Sequence, residues 1–338
     1  MRISVLLPYD GRPKDGADRV PEYERAGIDA VWVPEVWGFD SPTLMGYIAA
    51  RTSRIDICSG IVNVYSRSAA LLAQTAAGLD HLSGGRAVLG IGTSGPQVVE
   101  GWHGVPFERP IRRLRETIDV VRTVVKRAPL DRSASLPEGR GRGLGKPLRL
   151  LNLPERHAVP IVVAGLGPAA VRLSAELADG WMPIFYLPEH AHEVWGQAIA
   201  DGTAKRAADL HDLAIVAGGV VAIDTDLEVA RGAARRTLAL YVGGMGARGA
   251  NFYFDLACRY GFADAAVRVQ DLFLAGNPAA AAAEVPDELV ALTNLIGSAA
   301  DVRARIDAYR AAGVTELMVT PAGDDPVGQL TRLRALTS

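Results

Sequence analysis

The chain has 338 residues, 49% hydrophobic and 22% charged, a globular composition long enough for one large domain or two small ones. A formal net charge of -2 supplies no basic field able to neutralise a run of phosphates, which argues against nucleic acid as a partner and for a small neutral or anionic ligand. No apolar stretch reaches the roughly 20 residues that span a bilayer, and Met1 to Pro8 lacks the charged start, apolar core and cleavage site of an export signal, so a cytoplasmic protein is expected.

Along the chain, short β-branched runs alternate with longer amphipathic stretches, the mark of βα units and a parallel sheet. Eight strands are predicted: Arg2 to Leu7, Ala30 to Pro34, Ile55 to Val62, Ala87 to Gly92, Ile161 to Ala164, Trp181 to Phe185, Ala214 to Ile223 and Glu316 to Thr320. Several are near-continuous Val/Ile/Leu runs, as strands covered on both sides require; an open doubly wound sheet and a closed barrel both read this way. Helices are predicted over Arg19 to Ala26, Thr43 to Arg51, Ala69 to His81, Arg112 to Lys126, Ala169 to Ala178, Glu189 to Asp209 and Ala299 to Ala312. Gly27 and Gly313 stand just past two of them, where a left-handed residue turns the chain back into a strand. Residues 128–158, with "LPEGRGRGLGKP", read as a long loop, and 226–297 carry too much helix for one connection. Neither contains strands for a core of its own, so both are expected as insertions within one domain, 1–338. Cys58 and Cys258 lie far apart without metal or disulfide spacing and read as two buried thiols.

Candidate functional residues concentrate at predicted strand ends. In "VWVPEVWGFD", Glu35 places a carboxylate beside Trp37, suited to accepting hydrogen bonds, to acid/base work, or simply to opening a helix. In "CSGIVNVYSR", Gly60 interrupts a β-branched run, the sign of a bulge or of backbone pressed against something flat. Asn63, Tyr65, Ser66 and Arg67 follow with polar groups; Arg67 suits an acidic tail or plain solvent. "VLGIGTSGPQ" holds Gly90, Gly92 and Gly95 in GxGxxG order, but after the fourth predicted strand, and Pro96 sits where the next helix would begin, so a dinucleotide fingerprint is a weak reading. A strand end opening onto a ligand fits better, with Gly92 permitting close approach and Thr93 and Ser94 offering hydroxyls; a tight turn is the plain alternative. Trp102 and His103 in "EGWHGVPF" form a conspicuous pair, and His103 is either a catalytic candidate or a structural histidine. Gly165, Leu166, Gly167 and Pro168 join a buried strand to a helix whose free amides would favour an anion, or form a simple turn. His190 and His192, two apart on a predicted helix, do not share a face, and no metal site is expected.

These segments, above all "SGIVNVYSR", "GLDHLSGGRAVLGIGTSGPQVVEGWHGVPF", "GLGKPL" and "AGLGPAAVRLSAELADGWMPIF", resemble the luciferase-like monooxygenase superfamily along essentially the whole chain, and within it the coenzyme F420-dependent branch that includes methylenetetrahydromethanopterin reductase. The resemblance implies an α/β fold, a (β/α)8 TIM barrel with insertions at its C-terminal rim, and an oxidoreductase that moves a hydride between bound deazaflavin (F420) and a small organic substrate. It also implies a homodimer. An FMN-dependent monooxygenase and a flavin-binding barrel without turnover are the alternatives. By the same resemblance, Gly60-Ile61 matches a non-prolyl cis peptide behind the ring, Asn63, Gly92, Thr93 and Ser94 lie near the ring and its side chain, and Gly165 to Pro168 hold the coenzyme phosphate. Phe185 and Tyr186, with Trp37, Tyr65 and Trp102, fall to the substrate pocket, and Glu35 and His103 are the catalytic candidates. Sugar-oxidising relatives carry His after the acidic residue that Glu35 matches, whereas Val36 stands here, so reduction or oxidation of an activated C=C or C=N group suits the chain better than sugar oxidation.

Overall fold

In the computed structural model, which describes residues 1–9, 11–133 and 142–337, eleven strands alternate with helices. They are β1 (Arg2–Leu6), β2 (Ala30–Val33), β3 (Asp56–Ser59), β4 (Val62–Asn63), β5 (Ala87–Gly92), β6 (Ile161–Ala164), β7 (Gly180–Met182), β8 (Ala214–Ala217), β9 (Val220–Ile223), β10 (Leu295–Gly297) and β11 (Glu316–Pro321). Eight of them pair in parallel in the order β1-β2-β3-β5-β6-β7-β8-β11, and β11 pairs back to β1, with Arg2 opposite Glu316 and Val5 opposite Val319. The sheet is thus closed, and the eight predicted strands are its staves. An open sheet, which periodicity alone left standing, is excluded by that last pairing.

Two-residue alternation sorts the side chains. Ile3, Val5, Val31, Val33, Ile57, Leu89, Ile91, Val163, Leu317 and Val319 face outward into one apolar layer beneath the helices, whereas Ala30, Trp32, Cys58, Val162, Met182 and Val216 fill the interior. At the N-terminal end the interior is plugged by polar contacts: Trp32 donates from Nε1 to Glu316 Oε1 (2.8 Å) and Ser4 Oγ (3.1 Å), and Arg2 donates from Nε to Glu316 Oε2 (3.2 Å).

Several elements differ from expectation. The third predicted strand breaks into β3 and β4 around a cis Gly60-Ile61 bond, and the seventh breaks at Gly218 and Gly219 into β8 and β9. The sixth ends at Met182 rather than Phe185. Pro96 opens the helix Pro96–Gly101 instead of blocking it, because the first helical residue has no hydrogen bond for its missing N–H to forfeit. Helices Pro13–Asp18 and Pro326–Thr337 were not anticipated. Gly27 and Gly313 have φ of 82° and 85°, the left-handed turn predicted for them. Cys58 is buried, but Cys258 is only half-buried, since its helix carries a solvent-facing side. In the 128–158 region Leu130 and Leu148 form an antiparallel bridge, and residues 134–141, with most of the predicted Gly/Arg-rich loop tip, lie outside the described residues. Residues 227–293 supply five helices and a π-helical turn before β10. No helix among the described residues is long and apolar enough to cross a membrane.

Candidate active site

The C-terminal ends of the staves form a recess because their inward-facing residues are small. Cys58 and Ile61 both face the interior although three residues apart, so the alternation slips by one across Gly60. A Cβ on Gly60 would sit 3.0 Å from Trp32 Cβ, and one on Gly92 would sit 2.9 Å from Ile61 Cδ1 and 3.3 Å from the Ala164 carbonyl oxygen. Leu6, Ile61, Ala164 and Met318 border the interior cluster yet remain part-exposed, which makes them the apolar floor of an open mouth. Above this floor Asn63 is 4% exposed. Its Oδ1 accepts the Tyr65 amide (2.9 Å), while its Nδ2 is buried and has no partner, a donor waiting for an acceptor. Gly90, the first glycine of the GxGxxG string, lies within the wall instead of in a strand-to-helix turn: its Cβ would fall 1.9 Å from the Ser59 carbonyl oxygen. That accounts for the string without a dinucleotide.

Backbone strain gathers at the same level. Val36, Ser94 and Phe185, which follow β2, β5 and β7, have φ of 49°, 56° and 53°. A β-branched residue in the left-handed region is rare, and such outliers cluster at sites whose geometry the surroundings enforce. Beside Val36, the buried Glu35 is held in a two-point ion pair: Arg67 donates from Nη1 to Oε1 (2.7 Å) and from Nη2 to Oε2 (2.6 Å), and the Ser41 amide adds a bond to Oε2 (3.1 Å). Glu35 therefore clasps the loops after β2 and β4, and its oxygens are committed to neighbours rather than aimed at a reacting atom. Arg67, for which an acidic ligand tail was one reading, is spent on the same clasp, and that carboxylate holds its guanidinium pKa above the ordinary value.

After β6, the Gly165 carbonyl accepts from Trp181 Nε1 (2.8 Å), and the Leu166 carbonyl from Trp195 Nε1 (3.1 Å) and Arg259 Nη2 (3.4 Å). A trans peptide plane points its N–H opposite its C=O, so tying both carbonyls into the helix layer turns the Leu166 and Gly167 amides outward. Gly167 starts the helix Pro168–Leu177 without a side-chain cap, and nothing lies within 4 Å of the Cβ it lacks. This is the geometry of an anion cradle. Trp195 and Arg259, which shape it from distant segments, carried no signal in the sequence.

Two expected pocket residues are elsewhere. Tyr65 is buried at the rim, donating to the Glu108 carbonyl (2.8 Å) with the Arg113 guanidinium 4.5 Å above its ring. Tyr186 is buried in the helix layer, stacked on Trp195 at 5.5 Å and donating to the Ala312 carbonyl (2.9 Å). Tyr186 thus turns into the helix layer, whereas Phe185, in the left-handed turn past β7, stays part-exposed. Trp37 and Trp102 lie out on the rim, 48% and 65% exposed. His103 is half-buried, with an unpartnered Nε2. Around Phe185 stand Tyr241 and Tyr253, at ring distances of 5.3 and 6.4 Å, residues of the helical insertion that the sequence did not mark.

The family model described as luciferase-like monooxygenase matches residues 1–316. A Mycobacterium tuberculosis protein classed as a coenzyme F420-dependent oxidoreductase is 38% identical, covering 98% of this chain and 99% of that protein. The 5,10-methylenetetrahydromethanopterin reductase of Archaeoglobus fulgidus is 29% identical over 89% of this chain and 88% of its own. Among solved structures, the coenzyme F420 dependent tetrahydromethanopterin reductase from Methanopyrus kandleri shares the fold with a TM-score of 0.79 at 21% identity, over 98% of this chain and 96% of that one.

Proposed function

The chain belongs to the luciferase-like monooxygenase family, and from that premise we propose that it is an oxidoreductase transferring a hydride between bound coenzyme F420 and a small organic substrate. The observation that carries this reading is the recess itself: small inward residues at Gly60, Gly92 and Ala164 beside an unpartnered, buried Asn63 Nδ2. That combination suits a flat ring with a polar edge. The 38% identical relative named for F420 supports that coenzyme over FMN.

When bound, a deazaflavin supplies a hydride donor or acceptor. The protein's part is orientation and the exclusion of water. Asn63 donates to the ring edge, Gly60 and Ile61 support one face, and the Thr93 and Ser94 hydroxyls meet the chain that leaves the ring. The outward amides of Leu166 and Gly167, at the helix begun by Pro168, hold the phosphate. Leu6, Met182 and Met318 keep the floor apolar. Glu35 and Arg67 fix the two loops that border the ring rather than carry protons. The working unit is proposed to be a homodimer, as the resemblance to the family implies.

Titration of the purified chain with F420 and, separately, FMN tests the reading, because the two chromophores have distinct visible spectra. F420 is expected to bind at micromolar concentration and FMN more weakly. Tighter FMN binding transfers the proposal to a flavin monooxygenase, and binding of neither overturns it.

A further inference from the structure

The helices between β9 and β10 build a feature that coenzyme binding does not use. Helix Leu227–Ala239 runs into the π-helical turn Leu240–Gly244. Such turns shift side chains off the regular helical faces and recur at functional sites. This one is held from two sides. Gly243 and Gly244 lie so close to Phe273 that a Cβ on either would fall 2.5 or 2.3 Å from its atoms. Asn251, buried, donates from Nδ2 to the carbonyls of Tyr241 (3.0 Å) and Val242 (2.9 Å), while its Oδ1 accepts the amides of Tyr253 (2.9 Å) and Phe254 (3.1 Å). One amide side chain thus fixes the turn that carries Tyr241 and the first turn of helix Phe252–Arg259, which carries Tyr253.

The two rings meet edge to face at 4.8 Å and 86°, and both stand edge-on to Phe185 at the end of β7. Tyr9, just past β1, lies near both Tyr241 and Tyr253. Because β8 and β11 separate β7 from β1, this group arches over that side of the mouth. All four rings are part-exposed. A part-exposed tyrosine hydroxyl without a protein partner is left to water or to a ligand. Among the described residues that of Tyr253 has none.

We propose that Tyr241 and Tyr253, with Tyr9 behind Tyr241, donate hydrogen bonds to a carbonyl or hydroxyl oxygen of the substrate, and that Asn251 is the residue positioning them. The inference rests on the hydride-transfer reading and narrows its substrate to oxygen-bearing compounds such as enones, ketones and secondary alcohols. Burial pushes Tyr253 up to about 12 and Tyr241 higher still, so both remain phenols, and donors, throughout the neutral range.

The test uses 2-cyclohexenone carrying a 13C carbonyl as the probe, added to the full chain with oxidised F420, and reads its carbonyl stretching band and its affinity. Bound to the wild type, the band is expected at lower frequency than in an apolar solvent. Tyr241→Phe and Tyr253→Phe keep the edge-on rings and the fold. Each is expected to lose part of the shift and about three- to tenfold in probe affinity. An unshifted band in the wild type, or a shift that survives in the double Phe variant, overturns the proposal. Asn251→Asp keeps the acceptor at the helix start but loses both donated bonds; a full wild-type shift there overturns its positioning role. F420 uptake is followed separately by its visible absorption. Lost uptake with the shift retained sinks the hydride-transfer reading alone, and normal uptake without a shift sinks the phenol site alone.

Discussion

Gly90 and Gly92 stand two residues apart on the inward face of β5, and the atoms around them set different costs for the same added methyl group. At Gly90 the obstacle is backbone: the new Cβ would lie 1.9 Å from the Ser59 carbonyl oxygen, and the Ser59 hydroxyl already both accepts from Gly90 N and donates to Gly90 O, each at 2.8 Å. At Gly92 the nearest atom is the free end of Ile61. Gly90→Ala is therefore expected to lose about 3 kcal/mol or more in urea unfolding. Gly92→Ala should stay within about 1 kcal/mol of the wild type yet bind F420 at least about tenfold more weakly; equal losses of stability would contradict this account of the recess. Glu35 makes the complementary case. Removing one partner of its buried pair with Arg67 costs about 3 kcal/mol, so Glu35→Gln should be less stable in urea while the turnover of the protein that stays folded keeps its wild-type pH profile. A displaced profile would restore the carboxylate as an acid or base. The glycines and Asn63 were legible in the sequence because their oddity is local. The clasp was not, because Glu35 finds its partner 32 residues away.

At the scale of elements, the staves were legible because each is a short apolar run bounded by turn residues, and misreadings fall where a strand changes partners. β3 pairs with both β2 and β5, and past Gly60, β4 keeps β5 alone; β8 pairs with β7 and β11, and past Gly219, β9 keeps β11 and takes β10 in place of β7. An unbroken run of β-branched residues says nothing of such a handover. Connections between elements are equally hidden. Glu24, in helix Val20–Arg25, accepts at Oε1 the amides of Ser53 (2.9 Å), Arg54 (2.6 Å) and Ile55 (2.9 Å), and so ties that helix to the start of β3. Burial alone would raise its pKa, but these three amides outweigh burial and hold it below the ordinary 4.5. A carboxylate with a depressed pKa in the fold contributes stability that is present above its unfolded value and lost as pH falls through its folded value. Glu24→Gln should accordingly lower the unfolding free energy from urea titration at neutral pH by about 1–3 kcal/mol, with the gap to wild type closing as pH drops below 4.5. A gap that stays constant down to acid unfolding would show that the charge plays no part.

For the molecule as a whole, closure follows from two ends that only the fold brings together, Arg2 to Val5 against Glu316 to Val319, and it also decides which surfaces are left uncovered. Leu82, at the end of helix Ala69–Ser83, and Leu151 and Leu153 are exposed. Their segments are joined: Arg156 donates from Nη2 to Asp80 Oδ1 (2.5 Å) and His81 Nδ1 lies 3.5 Å from Glu155 Oε2. Exposed leucines on two segments joined in this way cost solubility unless a partner covers them, and the proposed homodimer is a partner of the right kind. Since the mouth opens at the C-terminal ends of the strands, away from Leu82 just before the start of β5, breaking such an interface should leave the coenzyme site untouched. Sedimentation equilibrium of the wild type at micromolar concentration is expected to give twice the chain mass, and the Leu82→Glu, Leu151→Glu double variant the mass of one chain with unchanged F420 affinity. A wild type at single-chain mass removes the dimer from the proposal, and a double variant that stays dimeric moves the interface to another face.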